Sequence, residues 1–242
     1  MRIISEKALW DFGKTHSDAM DADAMDALMN WKRIVRNSDW ESGADVKKTF
    51  SNSYMASGWT FFTIALNRYG LIAFISFRTR IVYVKAIRTR ERIPQGRSTF
   101  MSARASILSS AGLDPAGYGR LLVRVMPKLI ETESENEAAL AIVEALMKKG
   151  DDGRTPEEDA LLGLLAHLVE QFEQKHYQIP DGDPVGALKL LMESNGLKAI
   201  DLAGVFGGRS RVSEILAGKR SISKEQAKRL GEYFLVSPAV FI

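Results

Sequence analysis

The pattern of strand-forming residues is what most constrains the fold of this chain. Three apolar runs rich in aromatic and β-branched residues lie close together, at residues 58–65, 71–77 and 81–87. Such runs, joined by short connections, predict three consecutive antiparallel strands. Apolar residues recur at helical spacing before them, over residues 5–36, and again after about residue 104. We therefore expect an α+β fold, with a small domain of helices and antiparallel sheet followed by an all-helical region.

The helical region carries clear start and stop signals. The spacing predicts a helix over residues 137–148, stopped at Gly150. Thr155, Pro156 and Glu158 form a capping-box pattern that predicts a second helix, ending near His176. Breaks rich in proline and glycine then suggest four segments: a domain over 1–93, a linker over 94–104, a helical region over 105–182 and a final domain over 183–242.

Composition narrows the classes of function. The 242 residues include no cysteine, so we expect no disulfide and no thiolate metal site. No other pattern typical of a metal or cofactor site is found, and we expect neither. No apolar run is long enough for a membrane helix, and the first residues are too polar for a signal peptide. We expect a cytoplasmic protein without a membrane partner.

Charge is distributed unevenly along the chain. Residues 1–100 contain 16 Lys and Arg against 10 Asp and Glu, a net charge of +6. Residues 101–183 contain 8 against 15, or −7, and residues 184–242 contain 9 against 5, or +4. The acidic segment either solvates its own surface or covers one of the basic ones, which are suited to nucleic-acid phosphates.

The last domain has the pattern of a helix-turn-helix. We predict helices ending at Asn195, over 197–206 with Ile200 inward, over 210–217, and over 223–233. Gly207 and Gly208 form the tight turn, and Gly218 ends the third helix. The apolar end, residues 234–242, is either part of a dimer interface or the closure of the local core.

The third of these helices predicts a DNA-binding surface. Its polar face and the following turn supply the candidate contacts, namely Arg209, Ser210, Arg211, Ser213, Lys219 and Arg220. Arginines near the start of such a helix can pair with guanine, and the later cations suit phosphates. We expect a homodimer on a palindromic operator, since one such unit makes few contacts. The alternative is a protein-binding four-helix unit with solvated arginines.

The strand region predicts a second nucleic-acid surface. Residues 68–97 contain eight cations and one anion, interleaved with Tyr69, Phe74, Phe77 and Tyr83. Cations beside aromatic rings suit single-stranded RNA, whose bases stack while its phosphates pair. The alternative is a sheet edge protected from aggregation by solvated positive charges.

Residues 131–242 resemble the antitoxin HigA, an Xre/Cro-like repressor. The resemblance rests on residues 207–216 (GGRSRVSEIL), 218–220 (GKR), 237–242 (SPAVFI) and 173–177 (EQKHY). Residues 1–93 resemble the HigB toxin of the RelE-like ribonucleases, through residues 1–9 (MRIISEKAL), 40–42 (WES), 44–47 (ADVK) and 81–85 (IVYVK). The second resemblance implies metal-independent cleavage of mRNA, usually on the ribosome. It offers Asn67, Arg68, Lys85 and Arg90 as candidate catalytic residues.

Two departures from that toxin family predict a weakened nuclease. The family has arginine where this chain has Gly70, and histidine where it has Arg90. Arginine is a poor proton donor because its pKa is too high. The only histidine of residues 1–93, His16, lies in a helical stretch and is expected at the surface. A general acid for the leaving 5′-oxygen is therefore missing from the pattern.

We expect a natural fusion of adjacent toxin and antitoxin genes, with a designed fusion as the alternative. In this hypothesis the chain represses its own operator while the acidic segment restrains the basic domain, within one chain or between two. A second hypothesis is a repressor whose first domain is only a structural or dimerising module. A third, weaker one is an unrelated ligand-sensing domain.

Overall fold

The structure is a computed structural model that describes residues 1–15, 22–89 and 112–242. We refer to residues 1–89 as the N-terminal part and to residues 112–242 as the C-terminal part. The expected linker over 94–104 lies outside the described residues, as do His16 and Arg90. The elements of the N-terminal part are β1 (Arg2–Ile4), α1 (Lys7–Thr15), α2 (Ala22–Arg36), α3 (Gly43–Thr49), β2 (Tyr54–Ala56), β3 (Trp59–Ile64), β4 (Tyr69–Ser76) and β5 (Ile81–Thr89).

The C-terminal part is helical throughout its described length. Its elements are α4 (Pro115–Val125), α5 (Glu133–Lys148), α6 (Gly150–Gly153), α7 (Pro156–His176), α8 (Pro184–Ser194), α9 (Ala203–Phe206), α10 (Arg209–Leu216), α11 (Lys224–Phe234) and a 3₁₀ helix (Pro238–Phe241). The expected α+β class is therefore confirmed. Within the described residues, no helix is both long and apolar enough to cross a membrane.

The five strands form one mixed sheet in the order β1-β5-β4-β3-β2. The three predicted strands are confirmed as β3, β4 and β5, which pair antiparallel in sequence order. The edge strands were not predicted, because three residues are too few to show an alternating pattern. One of them, β1, runs parallel to β5, with Arg2 opposite Ile81, so the sheet is not a pure meander.

Helices cover the two faces of the sheet. One face, which we call the inner face, carries Leu71, Ala73, Val82 and Val84 and packs on the helices of the N-terminal part. On the other, which we call the outer face, Ile4, Phe74, Ile81 and Tyr83 share a core with apolar residues of α5 and α7. The C-terminal part thus supplies the second layer over the sheet.

The inner-face core continues into helices α8 to α11. Buried residues of these helices, among them Leu188, Phe206, Ile215 and Phe234, belong to the same apolar cluster as Trp31 of α2. Helix α8 lies on α2, where Gly182 and Gly186 approach Asn30 so closely that an added Cβ would stand 2.2 and 2.3 Å from its side chain. The two parts therefore share one continuous hydrophobic core.

The predicted caps explain where the long helices begin. The capping box at Thr155, Pro156 and Glu158 is confirmed, and α7 ends at His176 as expected. Helix α5 begins before the predicted residue 137, because Thr132 caps it and Glu135 completes a second capping box. It ends at Lys148 as predicted, although the expected break at Gly150–Gly153 contains one short helical turn.

The predicted helix over 197–206 is wrong in its first half. Only Ala203–Phe206 is helical, and Ile200, expected inward, is 56% exposed. The reason is local: the amides of Asp201 and Ala203 bond the carbonyls three residues back, which makes tight turns. Leu202 still enters the core.

Candidate nucleic-acid interfaces

The basic outer face is built around a bulge in β5. Ala73 pairs with Val84 and Ile72 with Ala86, so Lys85 is the extra residue of the bulge. Its ammonium group reaches the outer face, where Tyr83 also points. Gly70 pairs with Arg88 on the neighbouring strand, which places these two positions on the same face as Tyr83. The outer face therefore carries the side chains of Tyr83, Lys85 and Arg88, and Gly70 adds no side chain to it.

One carboxylate of the C-terminal part closes this surface. Oε2 of Glu144, on α5, accepts from the Tyr83 hydroxyl at 3.1 Å and from Lys85 Nζ at 2.5 Å. Burial alone would raise the pKa of Glu144, but the hydrogen bonds from Lys85, Lys148 and Tyr83 lower it below its ordinary value. Burial, with the charge of Glu144, raises the pKa of Tyr83. The group at this position is therefore a carboxylate anion held by a cation and a phenol.

Two more carboxylates of α5 hold a second lysine. Lys7 Nζ lies 2.5 Å from Glu133 Oε1 and 2.8 Å from Glu137 Oε1, and these hydrogen bonds raise its pKa. A cleft of about 410 Å³ between α1 and β5 is lined by Lys7, Lys85 and Arg88. The three glutamates follow one another at intervals of four and seven residues, so they share one face of α5. That spacing is visible in the sequence, but their partners on another segment are not.

A separate contact fixes the turn between β4 and β5. The carboxylate of Asp151 accepts from the backbone amides of Phe77 at 2.9 Å and Arg78 at 3.2 Å. The buried guanidinium of Arg154 donates to Ser76 Oγ at 2.8 Å and to Asp159 at 2.7 Å. These charge-assisted bonds fix the register of the sheet against the C-terminal part.

Apolar burial supplies most of the attraction across the outer face. An exposed ion pair such as Lys7 with Glu137 contributes about 1 kcal/mol or less. A fully buried apolar side chain contributes about 1.5–3 kcal/mol, and Ile4, Phe74 and Ile81 are all buried against the helices. The ion pairs therefore fix the position of α5 on the sheet, and the apolar core supplies most of the free energy that holds the helix there.

The structure does not bring together all the candidate catalytic residues. Lys85 lies on the outer face, whereas the Arg68 guanidinium points towards α2, 3.9 Å from Asp23, and lies over the ring of Tyr69. Asn67 is exposed with a left-handed backbone, φ 65°. The C-terminal part fixes the turn that contains Asn67, because the Glu193 carboxylate accepts a hydrogen bond from the amide of Leu66 at 2.7 Å. Arg90 lies outside the described residues.

The expected stacking aromatics are mostly unavailable. Tyr69 packs against Phe12 with ring centroids 5.0 Å apart, and Phe77 contacts the same inner core. Phe74 is buried under Trp59. These rings alternate between the two faces because successive strand residues do so, and the linear pattern of cations and aromatics did not account for it. The Tyr83 hydroxyl shares the carboxylate of Glu144 with Lys85.

The predicted DNA-contacting residues share an exposed surface. Val212 and Ile215 anchor α10 in the core, and the opposite face presents Arg209, Ser210, Arg211 and Ser213 to solvent. Gly207 and Gly208 form the predicted turn with φ of 77° and 136°. Lys219 and Arg220 follow Gly218, which has φ 70°, and both are exposed. All six residues are therefore exposed, and four of them are cationic.

The apolar C-terminal segment closes a core within the chain. Val240 and Phe241 are buried, and Arg33 of α2 donates to the carbonyls of Val240 at 2.7 Å and Ala239 at 3.2 Å. The amide of Ser237 bonds the carbonyl of Asn37 at 2.9 Å. Of the two expectations for this segment, core closure accounts for the buried side chains.

Neither surface has the ligand set of a metal site. Across residues 1–15, 22–89 and 112–242, no group of three or more His, Asp or Glu side chains is placed to hold a metal ion.

Comparisons with known proteins assign both parts of the chain. Residues 24–92 match the family model of HigB_toxin, described as the RelE-like toxic component of a toxin-antitoxin system. Antitoxin HigA of Escherichia coli (strain K12) is 32% identical over 132 residues, which cover 51% of this chain and 92% of that protein. Antitoxin HigA of Shigella flexneri matches with the same identity and coverage.

These matches, with the layered fold above, define a toxin–antitoxin protein. The chain belongs to the HigA antitoxin family, and with the match of residues 24–92 to HigB_toxin it joins a HigB-like part and a HigA-like part in one polypeptide.

Proposed function

We propose that this chain is a self-restrained toxin–antitoxin fusion that binds operator DNA. Its HigA-like part represses transcription as a dimer and holds closed the RNA-binding face of its HigB-like part. The observation that carries this proposal is the contact of Glu133, Glu137 and Glu144 with Lys7 and Lys85.

The closing contact favours restraint within one chain. RNA phosphates bind cations, and the carboxylates of α5 already bind these ones. RNA and α5 therefore compete for the same positive charges. Because α5 also covers Tyr83 and Phe74, RNA cannot reach this face until the helix moves. We infer that the substrate of the HigB-like part is mRNA presented on the ribosome.

The exposed surface of α10 supports DNA binding. Nothing in the described part of the chain covers Arg209 or Arg211, whereas the basic outer face is paired with carboxylates. Arginines at the start of a helix can enter the major groove and pair bidentately with guanine, while Lys219 and Arg220 suit the backbone. The operator we infer is palindromic, with one half-site for each chain of a dimer.

The test of DNA binding measures the affinity of the chain for the DNA upstream of its gene. Replacing Arg209→Ala and Arg211→Ala together should weaken binding at least tenfold, because each bidentate contact contributes about 1–3 kcal/mol. The matched control removes two exposed arginines of α4, Arg120→Ala and Arg124→Ala, and should change binding less than twofold. Equal losses in both variants would mean that general charge, rather than α10, binds the DNA. Scrambling one half-site tests the dimer.

Restraint is tested by reversing the charges of the closing face. We call the full chain with Glu133→Lys, Glu137→Lys and Glu144→Lys the opened chain, because each new cation would face Lys7 or Lys85. Its expression should arrest growth with cleaved messages, whereas the unaltered chain should not. A control with Glu131→Lys, Asp152→Lys and Glu157→Lys makes the same change in net charge away from these lysines and should be harmless.

A second function is supported by the shared core. Since α8 and the C-terminal segment rest on α2, the N-terminal part also serves as a support for the DNA-binding surface. If the opened chain stays folded and binds operator DNA but neither arrests growth nor cleaves message, a repressor with a structural N-terminal part is the better description.

A further inference from the structure

The hydrogen bonds of Glu144 bring together a proton donor and a cation that the sequence pattern does not connect. A single oxygen of this carboxylate lies 3.1 Å from the Tyr83 hydroxyl and 2.5 Å from Lys85 Nζ. The two groups therefore converge on one anionic oxygen from the same strand. A carboxylate oxygen and a non-bridging phosphate oxygen are both anionic acceptors, so the same pair can receive a phosphodiester once α5 withdraws.

The surroundings of this pair suit a phosphodiester more than another anion. Lys7 and Arg88 line the adjoining cleft, so cations continue along the sheet edge. Three carboxylates of α5 contact Lys7 and Lys85 in the closed chain, as the phosphates of an RNA strand would once the helix withdraws. Gly70, where the toxin family has arginine, lies on this face with its strand neighbour Arg88, whereas the Arg68 guanidinium does not.

We propose that Tyr83 is the general acid of the ribonuclease reaction and that Lys85 binds the phosphate beside it. This inference rests on the proposed function of the HigB-like part. The 2′-oxygen forms a bond to phosphorus, the bond between phosphorus and the 5′-oxygen breaks, and the Tyr83 hydroxyl gives its proton to that leaving oxygen. The proton of the 2′-hydroxyl passes to water, and Tyr83 recovers a proton from solvent. The products are a 2′,3′-cyclic phosphate and a 5′-hydroxyl.

A phenol suits this task where arginine does not. The ordinary pKa of tyrosine is about 10, far below that of an alcohol, so a phenol can protonate a departing alkoxide. Lys85 contributes charge to the pentavalent state, as does Arg88. In the closed chain, Glu144 accepts hydrogen bonds from the Tyr83 hydroxyl and from Lys85, so one residue both fills the phosphate position and engages the acid.

The test uses the full-length opened chain with ribosomes programmed by a short synthetic mRNA. Tyr83→Phe retains the ring that packs against Phe74 and Ile81 and removes only the hydroxyl. General acid catalysis contributes about 10²–10⁴-fold, so cleavage should slow by at least 100-fold. Binding of a non-cleavable mRNA, with a 2′-deoxy sugar at the mapped cleavage site, should change less than twofold. Lys85→Met should weaken that binding instead.

The decisive comparison changes the leaving group. A 5′-bridging phosphorothiolate at the same linkage leaves as a thiolate, which needs no proton, so Tyr83→Phe should cleave it as fast as the opened chain does. Equal slowing on the oxygen and sulfur mRNAs, or no slowing on either, overturns the role of Tyr83 while the ribonuclease proposal stands. An opened chain that binds mRNA without cleaving it, or binds none, overturns both.

Discussion

At the scale of single residues, the contact between the two parts contains charges that are normally kept in water. Glu6, near the start of α1, pairs with Lys32 at 2.9 Å and with Arg36 at 2.7 Å. Glu173 of α7 lies beside them, 1% exposed, and accepts from the amide of Glu6 at 3.1 Å. Its other oxygen, Oε1, is buried without a hydrogen-bond partner among the described residues. An unpartnered buried carboxylate is costly, so this residue favours its protonated form.

The stability of the chain should therefore depend on pH through Glu173. Burial, with the nearby Glu6 carboxylate, raises the pKa of Glu173 from 4.5 to about 7, although the Glu6 amide opposes the shift. The folded chain thus holds this proton more tightly than the unfolded chain. The resulting stabilisation is complete below about pH 4.5 and is lost as the pH rises through 7.

Glu173→Gln mimics the protonated carboxyl and removes this dependence. Relative to the parent, it should raise the free energy of unfolding at pH 8 by up to about 3 kcal/mol and change it little at pH 4.5. Urea denaturation at both pH values measures the difference. Glu170→Gln, which removes the partly exposed pair with Arg2, is the control and should cost less than about 1 kcal/mol. A Glu173→Gln variant that is less stable at pH 8 would show that the carboxylate is needed in its charged form.

At the scale of elements, the approach of α8 to α2 depends on the absence of a side chain at Gly182. A Cβ there would stand 2.7 Å from the backbone N and Cα of Asn30, which cannot rotate away. Gly182→Ala should therefore destabilise the fold by about 1–3 kcal/mol. Gly163→Ala is the matched control, since its Cβ meets no atom within 4 Å inside α7, and it should stabilise by about 0.5–1 kcal/mol. Thermal unfolding compares them, and equal shifts would mean that the two helices do not pack this closely.

Elements with strong local signals were predictable from sequence. A capping box places the start of α7, and aromatic and β-branched runs place β3 to β5. Strand β1 was missed because its pairing partner is β5, almost eighty residues away, and three residues carry no pattern of their own. The failure at Ile200 has a similar origin: helical spacing cannot distinguish one long helix from successive tight turns.

At the scale of the whole molecule, the candidate sites were predictable in type but not in arrangement. Charge segregation indicated that an acidic segment could cover a basic one, yet only the fold shows which carboxylates contact Lys7 and Lys85. The candidates Arg68 and Lys85 are close in sequence, but they point to opposite sides of the sheet. The sequence did not single out Tyr83 among the four aromatic residues of this region. It differs from the others through the hydrogen bond of its hydroxyl to Glu144, which is 61 residues away.

The shared core predicts that the two parts unfold together. All four tryptophans, Trp10, Trp31, Trp40 and Trp59, lie in the N-terminal part, so their fluorescence reports on it. Most of the described helix belongs to the C-terminal part, so far-ultraviolet circular dichroism reports mainly on that. Because the core around Trp31 continues through Leu188 to Phe234, neither part can unfold without exposing apolar surface of the other.

Urea unfolding followed by the two signals should give one superimposable transition, as a single cooperative unit requires. Gly182→Ala should move both midpoints to lower urea by the same amount, because it acts where α8 meets α2. Two separate midpoints, with the tryptophan signal unaffected by Gly182→Ala, would mean that the parts fold independently and that the HigB-like part can be released intact. Coincident midpoints would mean that the two parts form one cooperative unit, so that unfolding of the HigA-like part does not release the HigB-like part intact.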